Sequence, residues 1–509
     1  MSSPFRNSLL LAVWSLALFA AGVLIDTQHH DFPYFYHPDE PGKVGQIISG
    51  DWNLHHPMLL LQTTKLFVET TGVPRAEQPV VEAGRVVSAF FCAGAVVALS
   101  LLAYAWRGWG AALAAGGVLA WHHQLFELAH YLKEDSALLF GMSVAFLAAW
   151  LFAERATWPR AAFLGAGCAL AISGKYLGAI TLLVALPLLW KSGEHRARSF
   201  AVFFVFLFLC FFVVNFAIFT HFPTFTHSFA RETALVVRGQ AGMTRNVPHT
   251  QYWNVFLDNS TPITWVLLLV FLIARWRQRR TLTLIETALS AFPFVFALAL
   301  SFSPKSNDRY FLPATALFSV FAVIGASDLA DWLAPRWPRR TVFAIAALIL
   351  VAAQFPSWTR SRPGWIGYNA AFQHDDTAEL IEWLKTGVAA DAVIAKDNRV
   401  ALPDPTKKRD AARMGIIPQK ILAHKSGFAA DLGTLDQLQA RGVTHVAVSE
   451  MDYGKFFLRG LRPQKSGHSD FERRRDFYDQ LIHEGELLWE REKSTVLYLH
   501  PGIRVYRLR

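Results

Sequence analysis

The first 356 residues contain eleven apolar stretches of about 15 to 22 residues each. A helix of that length crosses, or nearly crosses, the roughly 30 Å hydrocarbon core of a bilayer. The stretches are residues 8–25, 85–106, 109–128, 136–153, 161–174, 176–190, 199–219, 262–275, 281–301, 310–327 and 341–355. The sequence therefore predicts a polytopic α-helical membrane protein with about 11 transmembrane helices.

The charged residues divide the chain at the same point. Residues 1–356 hold 25 Lys/Arg and 19 Asp/Glu, so 44 of 356 positions (12%) are charged, whereas residues 357–509 hold 24 and 20, or 44 of 153 (29%). Soluble proteins carry roughly 25% charged residues. We therefore predict a membrane domain over 1–356 and a soluble domain over 357–509, and exclude a disordered chain or a single soluble enzyme domain.

The pattern after residue 356 alternates between helix and strand periodicity. We predict helices at 376–385, 435–440 and 476–483, strands at 392–395, 444–449 and 487–490, and a closing hairpin of 496–499 with 504–507. This predicts a C-terminal soluble α/β domain of about 150 residues.

Basic residues between the apolar stretches indicate the orientation in the membrane. Short loops on one side hold most of the Lys and Arg, which places the N-terminus in the cytoplasm by the positive-inside rule. The loops 26–84, 129–135, 220–261 and 302–309 and the C-terminal domain are then outside. Of the net charge of +10, six charges fall in the apolar part, between spans. Nucleic acid is therefore not an expected partner.

The first outer loop contains the most informative polar residues. Asp39 and Glu40 follow His37-Pro38 just beyond the first span, and Lys43 comes three residues later. An acid fixed at the membrane face suits a general base or a ligand of a divalent cation. The alternative is that both acids cap a helix starting near Gly42.

Two adjacent histidines, His55 and His56, precede Pro57 in the same loop. Metal-binding histidines on one helix face are spaced i, i+4, so adjacent histidines favour substrate binding over a metal site.

Three further clusters fall at the outer ends of spans. The first holds Lys133 and Asp135, the second is Lys175-Tyr176 in a break between two short spans, and the third contains Lys305, Arg309 and Tyr310. The alternatives, which assign these residues no role in catalysis or binding, are helix capping by Asp135 and snorkelling of Lys175. Lys175, Lys305 and Arg309 together would form a cationic site for a lipid-linked phosphate.

All these clusters lie on one predicted side of the membrane. Acids and cations at one lipid boundary favour chemistry on a phospholipid-like substrate. The alternative, a transporter or flippase of a lipid-linked glycan, would place ionisable residues near the midplane. Asn215 and Glu286 are the main residues available there.

These motifs resemble a known family. His-Pro-Asp-Glu at 37–40, Gly-Asp-Trp at 50–52, His-His-Pro at 55–57, Lys-Glu-Asp at 133–135, Gly-Lys at 174–175 and Arg-Tyr-Phe-Leu-Pro at 309–313 occur in this order. Together they resemble the polyprenyl-phosphate-dependent glycosyltransferases of the GT-C fold, family 39, which include protein O-mannosyltransferases and aminoarabinose transferases. Residues 373–383 and 499–506 resemble bacterial members.

The resemblance implies a role for each matching residue. Asp39 would be the general base, Glu40 would support it or help to hold Mg²⁺ or Mn²⁺ with it, and Asp135 would position the acceptor or metal. The substrate would be bound by Lys43, His55, His56, Lys133, Lys175, Tyr176, Lys305, Arg309 and Tyr310.

The resemblance also implies the reaction. The enzyme would move a sugar from a polyprenyl-phosphate donor to a hydroxyl of a glycan, lipid or protein at the outer face of a bacterial inner membrane, with inversion. One departure concerns the acceptor: the aminoarabinose branch commonly has a basic residue before the proline at 57, where this chain has His56.

Overall fold

A computed structural model describes residues 4–32, 37–193, 196–238, 243–244, 251–303, 307–358, 364–403, 417–458, 462–463, 468–494, 496 and 498–508. The chain forms two compact units. One takes its described residues from 1–30, 39–237 and 247–367, and the other from 31–38, 238–246 and 368–509.

The first unit is helical. Its helices are α1 Pro4–Asp26, α2 Glu40–Ser49, α3 Leu59–Thr71, α4 Glu77–Arg107, α5 Trp109–Ala120, α6 His123–Ala129, α7 Glu134–Glu154, α8 Trp158–Gly174, α9 Leu182–Trp190, α10 Arg196–Val214, α11 Phe216–Thr220, α12 Phe222–Arg238, α13 Gln251–Asp258, α14 Pro262–Arg277, α15 Leu284–Ser301, α16 Leu312–Leu333 and α17 Arg339–Ala352. Two 3₁₀-helices, Tyr176–Thr181 and Asp308–Phe311, precede α9 and α16. α18 (Trp365–Phe372) follows α17.

Each of the eleven predicted spans is helical, which confirms the polytopic helical class. Six helical segments of the described chain are long and apolar enough to cross a membrane: 7–26, 77–107, 134–154, 196–214, 284–301 and 308–333. The predicted spans 109–128 and 199–219 are each divided in two, at Trp121-His122 and at Asn215. α4, α7 and α16 are the most buried of the six and form the centre of the bundle.

The second unit is a mixed sheet with helices. Its remaining elements are β1 Met243–Thr244, α19 Asp376–Gly387, β2 Val393–Lys396, β3 Lys420–Ala423, α20 Leu435–Ala440, β4 His445–Ser449, α21 Glu450–Tyr453, β5 Arg462–Pro463, α22 His468–Glu484, β6 Glu486–Arg491 and β7 Ile503–Arg507, with 3₁₀-helices at Ala429–Leu432 and Gly454–Phe457. The sheet order is β3-β2-β4-β7-β6, with β3, β2 and β4 parallel and β7 antiparallel to both neighbours. The predicted α/β domain is confirmed, and β3 was not predicted.

The predicted closing hairpin is wrong. β7 pairs with β4 and β6 instead of with residues 496–499. The chain turns at Tyr498 and Leu499, and the amides of Leu499 and His500 donate to the Val496 carbonyl at 3.1 and 2.9 Å. A carbonyl bound within the turn does not serve a strand, so apolar alternation alone misassigned this segment.

Candidate active site at one end of the helical bundle

The sequence clusters of the first unit meet at one end of its bundle. Asp39 stands directly before α2, and Lys133 directly before α7. Lys175 lies between α8 and the following 3₁₀-helix, and Arg309 lies in the 3₁₀-helix before α16. Side chains from four separate stretches of sequence therefore share one site.

Two cations of this site, Lys175 and Arg309, pair with the same acid, Asp135. Its carboxylate, fully buried, pairs with Lys175 Nζ at 2.5 Å and with Arg309 Nε at 3.1 Å. Lys175 Nζ also stands 4.4 Å from the centre of the Tyr310 ring, a cation–π contact. Lys175 therefore has protein partners and does not snorkel, and Asp135 has ion-pair partners beyond any role in capping.

Close packing of α7 against α8 explains why Lys175 meets the carboxylate of Asp135. Gly174 ends α8, and a Cβ at that position would lie 2.5 Å from the backbone nitrogen of Leu138. Only glycine allows the two backbones to approach this closely. Because Lys175 follows Gly174, and Leu138 lies one turn after Asp135, the contact sets the lysine beside the carboxylate.

Asp39 is the acid of the site that is open to solvent. Its side chain is 45% exposed, whereas those of Glu40, Glu134 and Asp135 are at most 2% exposed. It pairs with Lys133 Nζ, and its carboxylate makes no capping hydrogen bond to α2. Burial lowers the pKa of Lys133 to about 8. The structure thus holds Asp39 by an ion pair and leaves part of its carboxylate accessible.

A second ion pair joins α2 to α7. Lys43 Nζ lies 2.8 Å from Glu134 Oε1, and both side chains are buried. His56 is half-buried near these charges, and burial lowers its pKa below the ordinary histidine value. Neutral His56 can therefore donate a hydrogen bond to a polar substrate or accept one from it.

Glu40 has a different environment from the one predicted. It is fully buried, its two oxygens lie 3.1 and 3.3 Å from Arg85 Nε and Nη2, and the Leu132 amide donates to it at 3.1 Å. Arg85 is also fully buried. The interactions tie α2 and the start of α7 to α4, a structural role.

The predicted metal site at Asp39 and Glu40 does not fit these residues. All four acids already bind a cation of the chain: Lys133, Arg85, Lys43, and Lys175 with Arg309. Within the described part of the chain, no group of three or more His, Cys, Asp or Glu could hold a metal ion. A divalent cation would have to displace these ammonium and guanidinium groups.

Of the three other predicted substrate-binding residues, the structure describes His55 and Tyr176. His55 precedes His56, and its amide donates to Asn53 Oδ1 at 3.1 Å. Tyr176 follows Lys175, and its ring packs edge-on against Phe229 of α12, with centroids 5.3 Å apart. Lys305 lies outside the described residues.

Sequence reasoning missed two charged members of the site. Glu134 stood inside the Lys-Glu-Asp motif but was not proposed as a site residue. Arg85 lies within an apolar helix, and this was the available signal, because a buried arginine in such a helix requires a partner.

The two midplane candidates for transport have structural partners. Asn215 accepts from the Met58 amide at 2.9 Å and donates to Ser173 Oγ at 2.7 Å. Glu286 completes a capping box with Thr283 at the start of α15. Neither contact favours transport.

Comparison with known proteins supports the resemblance. Residues 75–230 match the family model of dolichyl-phosphate-mannose-protein mannosyltransferase. No curated protein has a matching sequence.

Three solved structures are similar to this chain to different degrees. The structure of ArnT from Cupriavidus metallidurans bound to undecaprenyl phosphate superposes with a TM-score of 0.52 at 11% identity, covering 100% of this chain and 99% of that chain. An oligosaccharyltransferase from Archaeoglobus fulgidus gives 0.48 at 12% identity, covering 87% of this chain and 70% of that one. The Pmt1-Pmt2 protein O-mannosyltransferase of S. cerevisiae gives 0.37 at 19%, covering 44% and 35%.

The match to the mannosyltransferase model covers part of the helical unit, including α4, α7, α8 and α10. The ArnT likeness extends over the whole chain and establishes the fold. The chain is therefore a multi-pass helical membrane protein with the fold of ArnT, and part of its helical unit is similar to the mannosyltransferase family.

Proposed function

We propose that the protein transfers a sugar from a polyprenyl-phosphate donor to an acceptor hydroxyl, with inversion at the anomeric carbon. The observation that carries the proposal is that the site holds an accessible acid and, separately, a group of cations. One partly exposed carboxylate, Asp39, stands at the same end of the bundle as Lys175 and Arg309, the two cations that pair with the buried Asp135.

The cations suit the donor's phosphate. Lys43, Lys133, Lys175 and Arg309 outnumber their partners Asp39, Glu134 and Asp135 by one positive charge. A sugar linked through phosphate to a polyprenol carries one negative charge, and the leaving lipid phosphate gains a second as the glycosidic bond breaks. Fixed cations stabilise the charge that develops in this step.

Asp39 suits the role of base. An acceptor hydroxyl can reach a carboxylate that is 45% exposed, whereas the three buried acids are enclosed by the protein. Asp39 takes the hydroxyl proton as the oxygen attacks the anomeric carbon on the face opposite the phosphate. Lys133 holds the carboxylate in place through its ion pair.

The proposal includes the orientation of the site. The positive-inside pattern of the sequence places this end of the bundle, and the C-terminal domain, outside the cytoplasm. In a bacterium this is the outer face of the inner membrane. The acceptor is then a glycan, lipid or protein hydroxyl on that side.

α12 supplies a candidate cover for the site. Ser228 Oγ donates to the Asn53 carbonyl at 2.6 Å, and Phe229 packs on Tyr176 beside Lys175. Phe222, Phe229, Val236 and Val237 leave an exposed apolar face on this helix. We propose that α12 borders the entry of the lipid tail from the bilayer.

The test compares cells with and without the protein by mass analysis of lipid-linked sugars and glycans. Loss of the transferase predicts that one polyprenyl-phosphate sugar accumulates and one glycosylated product disappears. The accumulated lipid is then given to the purified protein in detergent. Transfer of its sugar to the acceptor without a sealed membrane supports the enzyme, whereas translocation in proteoliposomes without any product supports the flippase.

A further inference from the structure

A cavity of about 360 Å³ opens at the other end of the helical unit. α7 connects the two sites: it begins with Glu134 and Asp135 and ends with Phe152, Ala153 and Glu154 in the cavity wall. Nineteen residues of helix separate Asp135 from Glu154, which corresponds to roughly 30 Å. This cavity is therefore remote from the proposed active site.

Two hydrogen-bond donors at this cavity are buried without acceptors. Trp106 and Arg107 line it, and neither Trp106 Nε1 nor Arg107 Nε has a hydrogen-bond partner among the residues that the structure describes. The Trp106 side chain is 9% exposed. A buried N–H group without an acceptor costs about 1–3 kcal/mol, so an acceptor-only ligand would satisfy both groups.

The charges around the cavity leave room for one anion. Its lining includes Arg107, Lys191, Glu154 and Glu286. Three charged residues outside the lining pair with these groups: Asp328 with Arg107, Arg275 with Glu286 and with Asp328, and Arg160 with Glu154. Four cations then face three carboxylates among these groups, leaving one positive charge.

Exposed tryptophans show that the cavity lies at the depth of lipid headgroups. Around this end of the bundle, Trp158, Trp190, Trp276, Trp332 and Trp337 are 38–68% exposed. Arginines stand over three of these rings: Arg196 over Trp190, Arg277 over Trp332 and Arg279 over Trp276. Tryptophan belts with arginine mark the interface between membrane and water.

We infer that this cavity binds the phosphodiester headgroup of a membrane phospholipid. Trp106 Nε1, Arg107 Nε and Lys191 would bind the phosphate oxygens, while Trp150, Leu188 and Leu284 would contact the glycerol and the start of the acyl chains. The inference concerns a site apart from the proposed active site, and it does not depend on the reaction proposed there.

The test measures binding of phosphatidylglycerol to the full-length protein in detergent, by native mass spectrometry and by the shift in melting temperature. Trp106→Phe removes the indole N–H and keeps an aromatic ring, and Lys191→Gln removes an exposed charge without disturbing the core. Trp190→Phe changes an exposed tryptophan outside the cavity lining and is the matched control.

We expect both cavity variants to bind phosphatidylglycerol about tenfold or more weakly than wild type, because each loses a bond to a charged acceptor. The control should bind as wild type does, and diacylglycerol, which lacks the phosphate, should bind to none of them. Equal lipid binding by wild type and both cavity variants would overturn the inference. Equal protection by inorganic phosphate would overturn the lipid as ligand and assign a free phosphate.

Discussion

Replacing Glu40 by Gln distinguishes a structural acid from a catalytic one. The substitution keeps the shape of the side chain but removes the negative charge that faces the fully buried Arg85, which also donates from Nη1 to the His30 carbonyl at 3.0 Å. Removing one partner of a buried ion pair generally lowers the free energy of unfolding by about 3–5 kcal/mol, because the other charge stays buried without compensation. At about 2 °C per kcal/mol for a large domain, the melting temperature should fall by roughly 6–10 °C.

The assay follows thermal unfolding of the purified protein in detergent together with sugar transfer at a temperature where the variant is folded. We expect a large loss of stability and little loss of turnover per folded molecule. The double variant Glu40→Gln with Arg85→Met removes both charges and should recover most of the lost stability. An unchanged melting temperature with abolished turnover would refute the structural role and return Glu40 to the catalytic machinery.

Three further predictions follow from the charged groups. Turnover should fall as pH rises through about 8, because Lys133 then loses the charge that holds Asp39. Lys133→Arg should remove this fall. The same loss of turnover above pH 8 in the variant would contradict the prediction. Asp135→Asn should lower the free energy of unfolding by about 3 kcal/mol, and with it the melting temperature, because Lys175 loses its counter-ion. The same loss should raise KM for the lipid donor. Burial, with Asp452 nearby, raises the pKa of Asp397 to about 7. The sheet should therefore lose stability as pH rises from about 4 to 7 and Asp397 ionises, so that amide exchange of β2 and β4, corrected for intrinsic rates, becomes faster. This increase should be smaller in Asp452→Asn.

The membrane part of the fold could be predicted because length and polarity alone determine a span. The divisions within spans could not, because they depend on tertiary contacts. The break at Asn215 is an example: its side chain binds Ser173 and the Met58 amide, which are distant in sequence. β3 was missed for a related reason, since a four-residue strand is defined by its parallel pairing with β2.

The sequence predicted which side of the membrane four charged residues of the candidate site share, but not how they pair. The motifs brought Asp39, Asp135, Lys175 and Arg309 to one side of the membrane, and the structure places them at one end of the bundle. Adjacent acids in sequence proved to have opposite environments. Asp39 is 45% exposed and Glu40 fully buried, because α2 begins between them and turns Glu40 toward Arg85.

The central claim is that Asp39 acts as the base. The most direct measurement is the rate of sugar transfer from the lipid donor by purified Asp39→Asn, beside Asp51→Asn, an exposed acid of the same loop, as control. Since the ion pair of Asp39 with Lys133 is partly exposed, its loss should cost about 1 kcal/mol of stability or less. We predict that Asp39→Asn is folded, binds the donor and transfers at least about a hundredfold more slowly, at the low end for loss of a general base, while Asp51→Asn is unchanged. Wild-type transfer by Asp39→Asn would contradict the account.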